Sequence, residues 1–156
     1  MIQRPQSVLL GLIILLMLAG LMLPNWEKNS ADGLSSAVQN AWSLQFKSVS
    51  GEESKTRIHL ALFMLAVAGM AGFSISKFKN RLLQMKIGFA ITLGISATLI
   101  FMMLGIREGE AMLDAGKEGR HLSGFYLLFI ALFSNIISNR LIRKDENLVR
   151  SMDRIR

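Results

Sequence analysis

Four stretches of this chain, Ser7–Leu23, Ile58–Ser76, Ile87–Ile106 and Leu122–Ile142, contain no Asp, Glu, Lys or Arg except Arg140, near the end of the last. A helix needs roughly 17–25 such residues to cross a hydrocarbon core about 30 Å thick. All four stretches are long enough, the first only just. A soluble four-helix bundle would carry charges along the outer face of each helix. Here that face is missing. The fold class expected is therefore all-α membrane, with four transmembrane helices at about 7–23, 58–76, 87–106 and 122–142. Residues 1–156 form a single integral membrane domain. Its connections are outer loops 24–57 and 107–121, an inner loop 77–86 and a tail 143–156. The composition agrees, at 51% hydrophobic residues with a mean hydropathy of +0.40.

The first stretch has the general shape of a signal peptide, MIQRPQ followed by an apolar run. No small-x-small cleavage site follows it, so an uncleaved span is the expectation. Orientation is read from the bases in the connections, because Lys and Arg are enriched on the cytoplasmic side. Of the 18 Lys and Arg, eleven fall on one side, in Arg4, the 77–86 loop and the tail from Arg140, and seven fall in the two other loops. Eight of the 11 acids lie in those other loops. Both termini are thus expected in the cytoplasm, in a bacterial inner membrane. The short loop SKFKNRLLQMK, purely basic, is the strongest single signal. Bases beside an anionic leaflet are worth about 1 kcal/mol each, so the formal charge of +7 needs no nucleic acid to explain it.

In the long outer loop, Trp26 and Trp42 are amphipathic rings suited to an interface. Trp42, Leu44 and Phe46 alternate with Ser43, Gln45 and Lys47, and Ser50-Gly51 marks a turn. A short strand or hairpin over the helix ends and a flexible loop both fit this stretch. The second outer loop, with REGEAMLDAGKEGR, is expected to extend the third helix before breaking at Gly116 or Gly119.

Chemistry is sparsely signalled. The absence of cysteine excludes disulfides, iron–sulfur clusters and thiol catalysis. His59 and His121 sit on different helices without metal-ligand spacing, so they read as interfacial side chains, and no metal or cofactor is expected. Neither a nucleophile elbow nor a phosphate-binding glycine loop appears. Coupled carriers place ionisable groups at membrane depth, and this chain places small or neutral ones there. Ala131, Ser134, Asn135, Ser138 and Asn139 form a polar stripe on the last span. Its bland reading is interhelical hydrogen bonding, with Asn135 facing other helices; its sharper reading is a pore or ligand-facing surface.

The ending NRLIRKDENLVRSMDRIR has Leu141, Leu148, Met152 and Ile155 at helical spacing, flanked by Ile142 and Val149. Lys144, Glu146, Arg150, Asp153 and Arg154 lie mostly on other faces, and Glu146 and Arg150 make a favourable i,i+4 pair. A C-terminal amphipathic cytoplasmic helix is expected, either bent from the last span or continuous with it. Its embedded acids Asp145, Glu146 and Asp153 weaken a purely lipid-bound reading.

The opening MIQRPQSVLL, the loop FKNRLLQMK and this ending resemble the domain-of-unknown-function 4293 family of small bacterial membrane proteins. The likeness runs end to end, with Pro5 standing where an aliphatic residue is usual. The resemblance implies four transmembrane helices, a short strand-like outer loop and no assigned activity. It also implies that the tail pattern through Lys144, Asp145, Glu146, Leu148, Val149, Arg150, Ser151, Asp153, Arg154 and Arg156 is a family hallmark. The expected function is a non-enzymatic adaptor or accessory subunit. Its tail residues Lys144, Asp145, Glu146, Leu148, Val149, Arg150, Met152, Asp153, Arg154 and Ile155 would engage a protein partner. Membrane lipids are the other expected partner, and a homo-oligomer is left open. The alternative is a small transporter or channel subunit lined by Ser134, Asn135 and Ser138.

Overall fold

Each apolar stretch forms an α-helix. The computed structural model describes residues 5–49, 51–78, 80–113 and 118–153, with only the backbone described at 149, 150, 152 and 153. The helices are α1 (Pro5–Met22), α2 (Ile58–Ser76), α3 (Arg81–Ala111) and α4 (Ser123–Asp153). All four are long and apolar enough to cross a membrane. They pack as an up-and-down bundle in which α1 touches α2 and α4, and α3 touches the same two. Two of them outrun the apolar stretches that produce them. The α3 helix takes up most of the basic connection, leaving a tight turn at 77–80, because the Asn80 side chain accepts a hydrogen bond from Leu83 N at 3.0 Å and caps it. At 31 residues each, α3 and α4 span ~46 Å, well beyond a hydrocarbon core.

The bundle is inverted relative to a soluble one. Leu15, Leu62, Phe89, Ile100 and Phe133 point outward, while Gln6, Ser74, Gln84, Thr98, Asn135 and Ser138 are buried among Leu10, Ile13, Met64, Ile91, Ile95 and Leu128. Lipid is as apolar as leucine, so outward burial of apolar groups costs nothing there and the polar groups find partners inside. This distribution is that of a membrane protein.

The all-α expectation needs correcting. The long connection between α1 and α2 folds into four strands, β1 (Trp26–Asn29), β2 (Ser36–Gln39), β3 (Ser43–Ser48) and β4 (Gly51–Thr56). A two-residue strand, β5 (Arg120–His121), returns from the α3–α4 connection. The five pair antiparallel in the order β4-β3-β2-β1-β5. Leu44 is buried and Phe46 packs on the core, as the alternation in β3 requires, while β4 is exposed throughout. The short β1 and β2 carry no such apolar alternation. In β1 the inward positions are Trp26 and Lys28, and a lysine on the inner face hides the strand from a hydropathy reading. Of the expected turn at Ser50-Gly51, Gly51 opens β4 and Ser50 lies outside the described residues.

The sheet rests on the end of α3. Trp26 is fully buried, and a side chain on Gly109 of α3 would run into its ring. Trp42 is partly exposed and donates its indole N–H to Leu21 O at 2.9 Å, the arrangement suited to an interface. The two tryptophans therefore differ: one is a core plug and the other an edge.

Candidate functional site

Two places in the fold gather polar side chains, and they lie at opposite ends of the bundle. At the sheet end, two carboxylates of α3 tie the cap down, just past Ile106 where the apolar stretch stops. Lys28 Nζ donates to Glu110 Oε2 at 2.6 Å, and Gly119 N donates to Glu110 Oε1 at 2.8 Å. Glu108 pairs with both Lys55 and Arg57. The Lys28 side chain is only 3% exposed, so its ammonium depends on Glu110 for compensation. Both carboxyls are held below the ordinary glutamate value. For Glu108 the hydrogen bond from Lys55 is the main cause, opposed by burial and reinforced by the Arg57 charge. For Glu110 burial pushes upward, and the donors Lys28, Gly119 and Trp26 together outweigh it. Gln39 Nε2 reaches Met102 O at 3.3 Å, a further link from sheet to helix. The sequence reading singled out none of these as a cluster. The short WEKN segment gives no hydropathy signal that would turn Lys28 inward.

The two histidines also sit at this end. His59 meets the edge of Phe101 and His121 stacks on Phe125 at 4.1 Å between ring centres. Among the described residues, no three His, Asp or Glu side chains converge as a metal site would require.

At the opposite end, every helix contributes a neutral polar group. Asn135 of α4 is fully buried and its Nδ2 donates to Gly88 O and to Thr92 Oγ1 of α3, each at 2.8 Å. Ser138 Oγ donates to Gln6 O of α1 at 3.4 Å. Gln84 Nε2 donates to Ser74 O of α2 at 2.8 Å, although Gln84 falls within the stretch read as an inner loop. Ser134 instead bonds its own helix, to Ile130 O. Asn139 lies against Gly88, where any side chain would run into it. The stripe residues thus face neighbouring helices, with Asn135 and Ser138 bridging and Ser134 satisfied locally. Their geometry is that of helix–helix bonding.

Past this layer, α4 continues without a break to Asp153. Ile142 is buried in the bundle, so it belongs to the core and not to a free tail face. Arg81 of α3 donates to Asp145 O at 2.5 Å, which sets the start of α3 level with Asp145. Leu148 beyond it is 54% exposed. Lys144 is exposed, and Asp145 and Glu146 are half-buried. Only the helical backbone is described at Val149, Arg150, Met152 and Asp153, and Arg154 and Ile155 lie outside the described residues.

Comparison with known families gives a match over nearly the whole chain. The model of the family described as Domain of unknown function (DUF4293) matches residues 2–155. The chain belongs to this family. That match spans all four helices, the sheet and the tail of this DUF4293 protein, so the cap is part of the family unit and not an appendage. None of the curated proteins compared with it matches.

Proposed function

We propose that this protein is a non-enzymatic adaptor or accessory subunit of a bacterial inner membrane, with both termini cytoplasmic, that engages a protein partner through the end of α4. The observation that carries this reading is the uninterrupted α4. Because α3 starts level with Asp145, α4 projects about two turns farther, as a rigid helix with Leu148 exposed. A helix continuous with a span presents its side chains at a fixed distance from the membrane, which favours docking on a protein groove. The polar stripe supports the same reading, since its main donors are spent between helices. Among the described residues no Asp, Glu, Lys or Arg is buried along the apolar part of the bundle, in keeping with a protein that does no ion-coupled work.

The test is affinity purification from membranes in mild detergent. Each apolar side chain buried in a docking interface is worth roughly 1.5–3 kcal/mol. A Leu148→Asp, Met152→Asp chain should therefore lose a partner that the intact chain retains, while inserting equally well. Neutralising Arg150 and Arg154 should do less and mainly raise salt sensitivity. If the co-purifying proteins are the same with and without the double substitution, the adaptor reading fails.

A further inference from the structure

The lipid-facing side of the bundle is not uniformly filled. Near its basic end a groove of 610 Å³ opens between α3 and α4, lined by Met85, Lys86, Phe89 and Arg143 among others. A hollow of 250 Å³ continues it towards the polar layer, sharing Met85, Phe89 and Arg143 and adding Ile136 and Arg140. The groove has two chemistries along its length. Lys86, Arg140 and Arg143 are all exposed, and among the described residues none of them pairs with a carboxylate. Glu146 also borders the groove, so the three bases outnumber a single acid. One turn along α3 from Lys86, the lining becomes apolar, with Phe89 65% exposed and Ile136 half-buried, while Met85, next to Lys86, adds a half-buried apolar side chain beside the bases.

In a membrane this arrangement has a specific complement. Bases at the foot of a lipid-facing groove lie at headgroup depth, where they attract anions and where their stems can lie along apolar surface. One helical turn is about 5.4 Å, so a phosphate held at Lys86 would direct an attached acyl chain along Phe89. Two neighbouring bases of this end are committed elsewhere: Lys77 sits over the Phe73 ring, and Arg81 donates to the Asp145 carbonyl. We infer that the α3–α4 groove is a binding site for one anionic phospholipid. Its phosphate is held by Lys86, Arg140 and Arg143, and one acyl chain lies on Met85, Phe89 and Ile136. The inference does not depend on the tail's having a protein partner.

The experiment uses the full chain in a neutral detergent, with phosphatidylglycerol and phosphatidylcholine of identical acyl chains as probes. Native mass spectrometry reads the bound lipid and thermal unfolding reads the stabilisation. Phosphatidylglycerol should be retained at least about tenfold more strongly than phosphatidylcholine, from roughly 1 kcal/mol per base. Combined Lys86→Gln, Arg140→Gln and Arg143→Gln should remove that preference, and Arg140→Gln alone should reduce it if the triple variant proves poorly folded. Phe89→Ala, which changes no charge, should weaken retention of both lipids. Lys77→Gln, a base at the same end but outside the groove, should leave the preference intact. Glycerol phosphate without acyl chains should neither stabilise the protein nor displace the lipid. Equal retention of the two lipids, an equal loss in Lys77→Gln, or full displacement by glycerol phosphate would each overturn the assignment. So would a protein that remains seated on the groove and excludes lipid.

Discussion

At the scale of single residues, the most consequential position is one without a side chain. Gly88 lets α4 approach α3 closely enough for Asn135 to bond its carbonyl, and the Asn139 amide occupies the space a Cβ would need. A Gly88→Ala substitution forces those two groups together. Overpacking of this kind costs about 1–3 kcal/mol. Asn139→Ala in the same chain should recover most of the loss, because it vacates the contested space and the two positions are coupled by contact. Thermal unfolding of the two single variants and the double variant in detergent measures that coupling. Additive losses would show that Gly88 matters for some reason other than Asn139. The sequence carried half of this pairing: Asn135 was legible as an inward residue, because an amide at membrane depth has to find a donor or acceptor. Gly88 was legible as a small residue that lets a helix come close, but its pairing with Asn135 was not, because no periodicity in one helix identifies which turn of another it meets.

At the scale of elements, the sheet is the unit whose stability should respond to acid. Glu108 and Glu110 lie past the apolar part of α3 and fasten β1, β4 and the chain before α2 to that helix, and both carboxyls sit below the ordinary glutamate range. A carboxyl depressed in the folded state contributes stability that is complete above its unfolded pKa and is lost as pH falls through the folded one. The cap should therefore hold at neutral pH and loosen only below the usual glutamate range. Trp26, buried against α3, reports the event if Trp42 is replaced by Phe: its emission should shift to the red on acidification while helix content is kept. In Glu110→Gln, Lys28 loses its compensating charge, so the shift should already be present at neutral pH. No change in Trp26 emission down to strongly acidic pH would contradict a cap held by these carboxylates. This element was half legible. The alternation of Trp42, Leu44 and Phe46 marked β3, whereas β1, β2 and β5 exist because they pair with neighbours, and pairing leaves little trace in a four-residue or two-residue segment.

At the scale of the whole molecule, the bundle is polar at its two ends in different ways. The end opposite the sheet carries Lys77, Arg81, Lys86, Arg140, Arg143 and Lys144, and the sheet end carries the paired acids and bases of the cap. Four antiparallel helices put the α2–α3 connection, the start of α1 and the end of α4 on the same side. If the excess of bases sets the orientation, reporter fusions at Asn80 and after Arg156 should read cytoplasm, and fusions at Asp32 and Gly116 the outside. An outside signal at Asn80 would invert the arrangement and place the sheet in the cytoplasm.

What the sequence determined by itself follows from local composition. Uncharged runs of sufficient length dictate four helices in an apolar solvent, since only there can they leave their leucines and phenylalanines facing outward. The uneven placement of bases likewise needs no folding to be read. The tertiary structure decided what depends on two distant segments meeting. It turned a polar 24–57 connection and two residues from the far loop into a sheet, drew Lys28 inward because Glu110 was there to meet it, and buried Trp26 against a glycine of α3. It also opened the groove between α3 and α4, where bases far apart in the chain come together. Apart from the hairpins within 24–57, such features are settled by complementary partners across the fold, and no single stretch of the chain contains both halves of them.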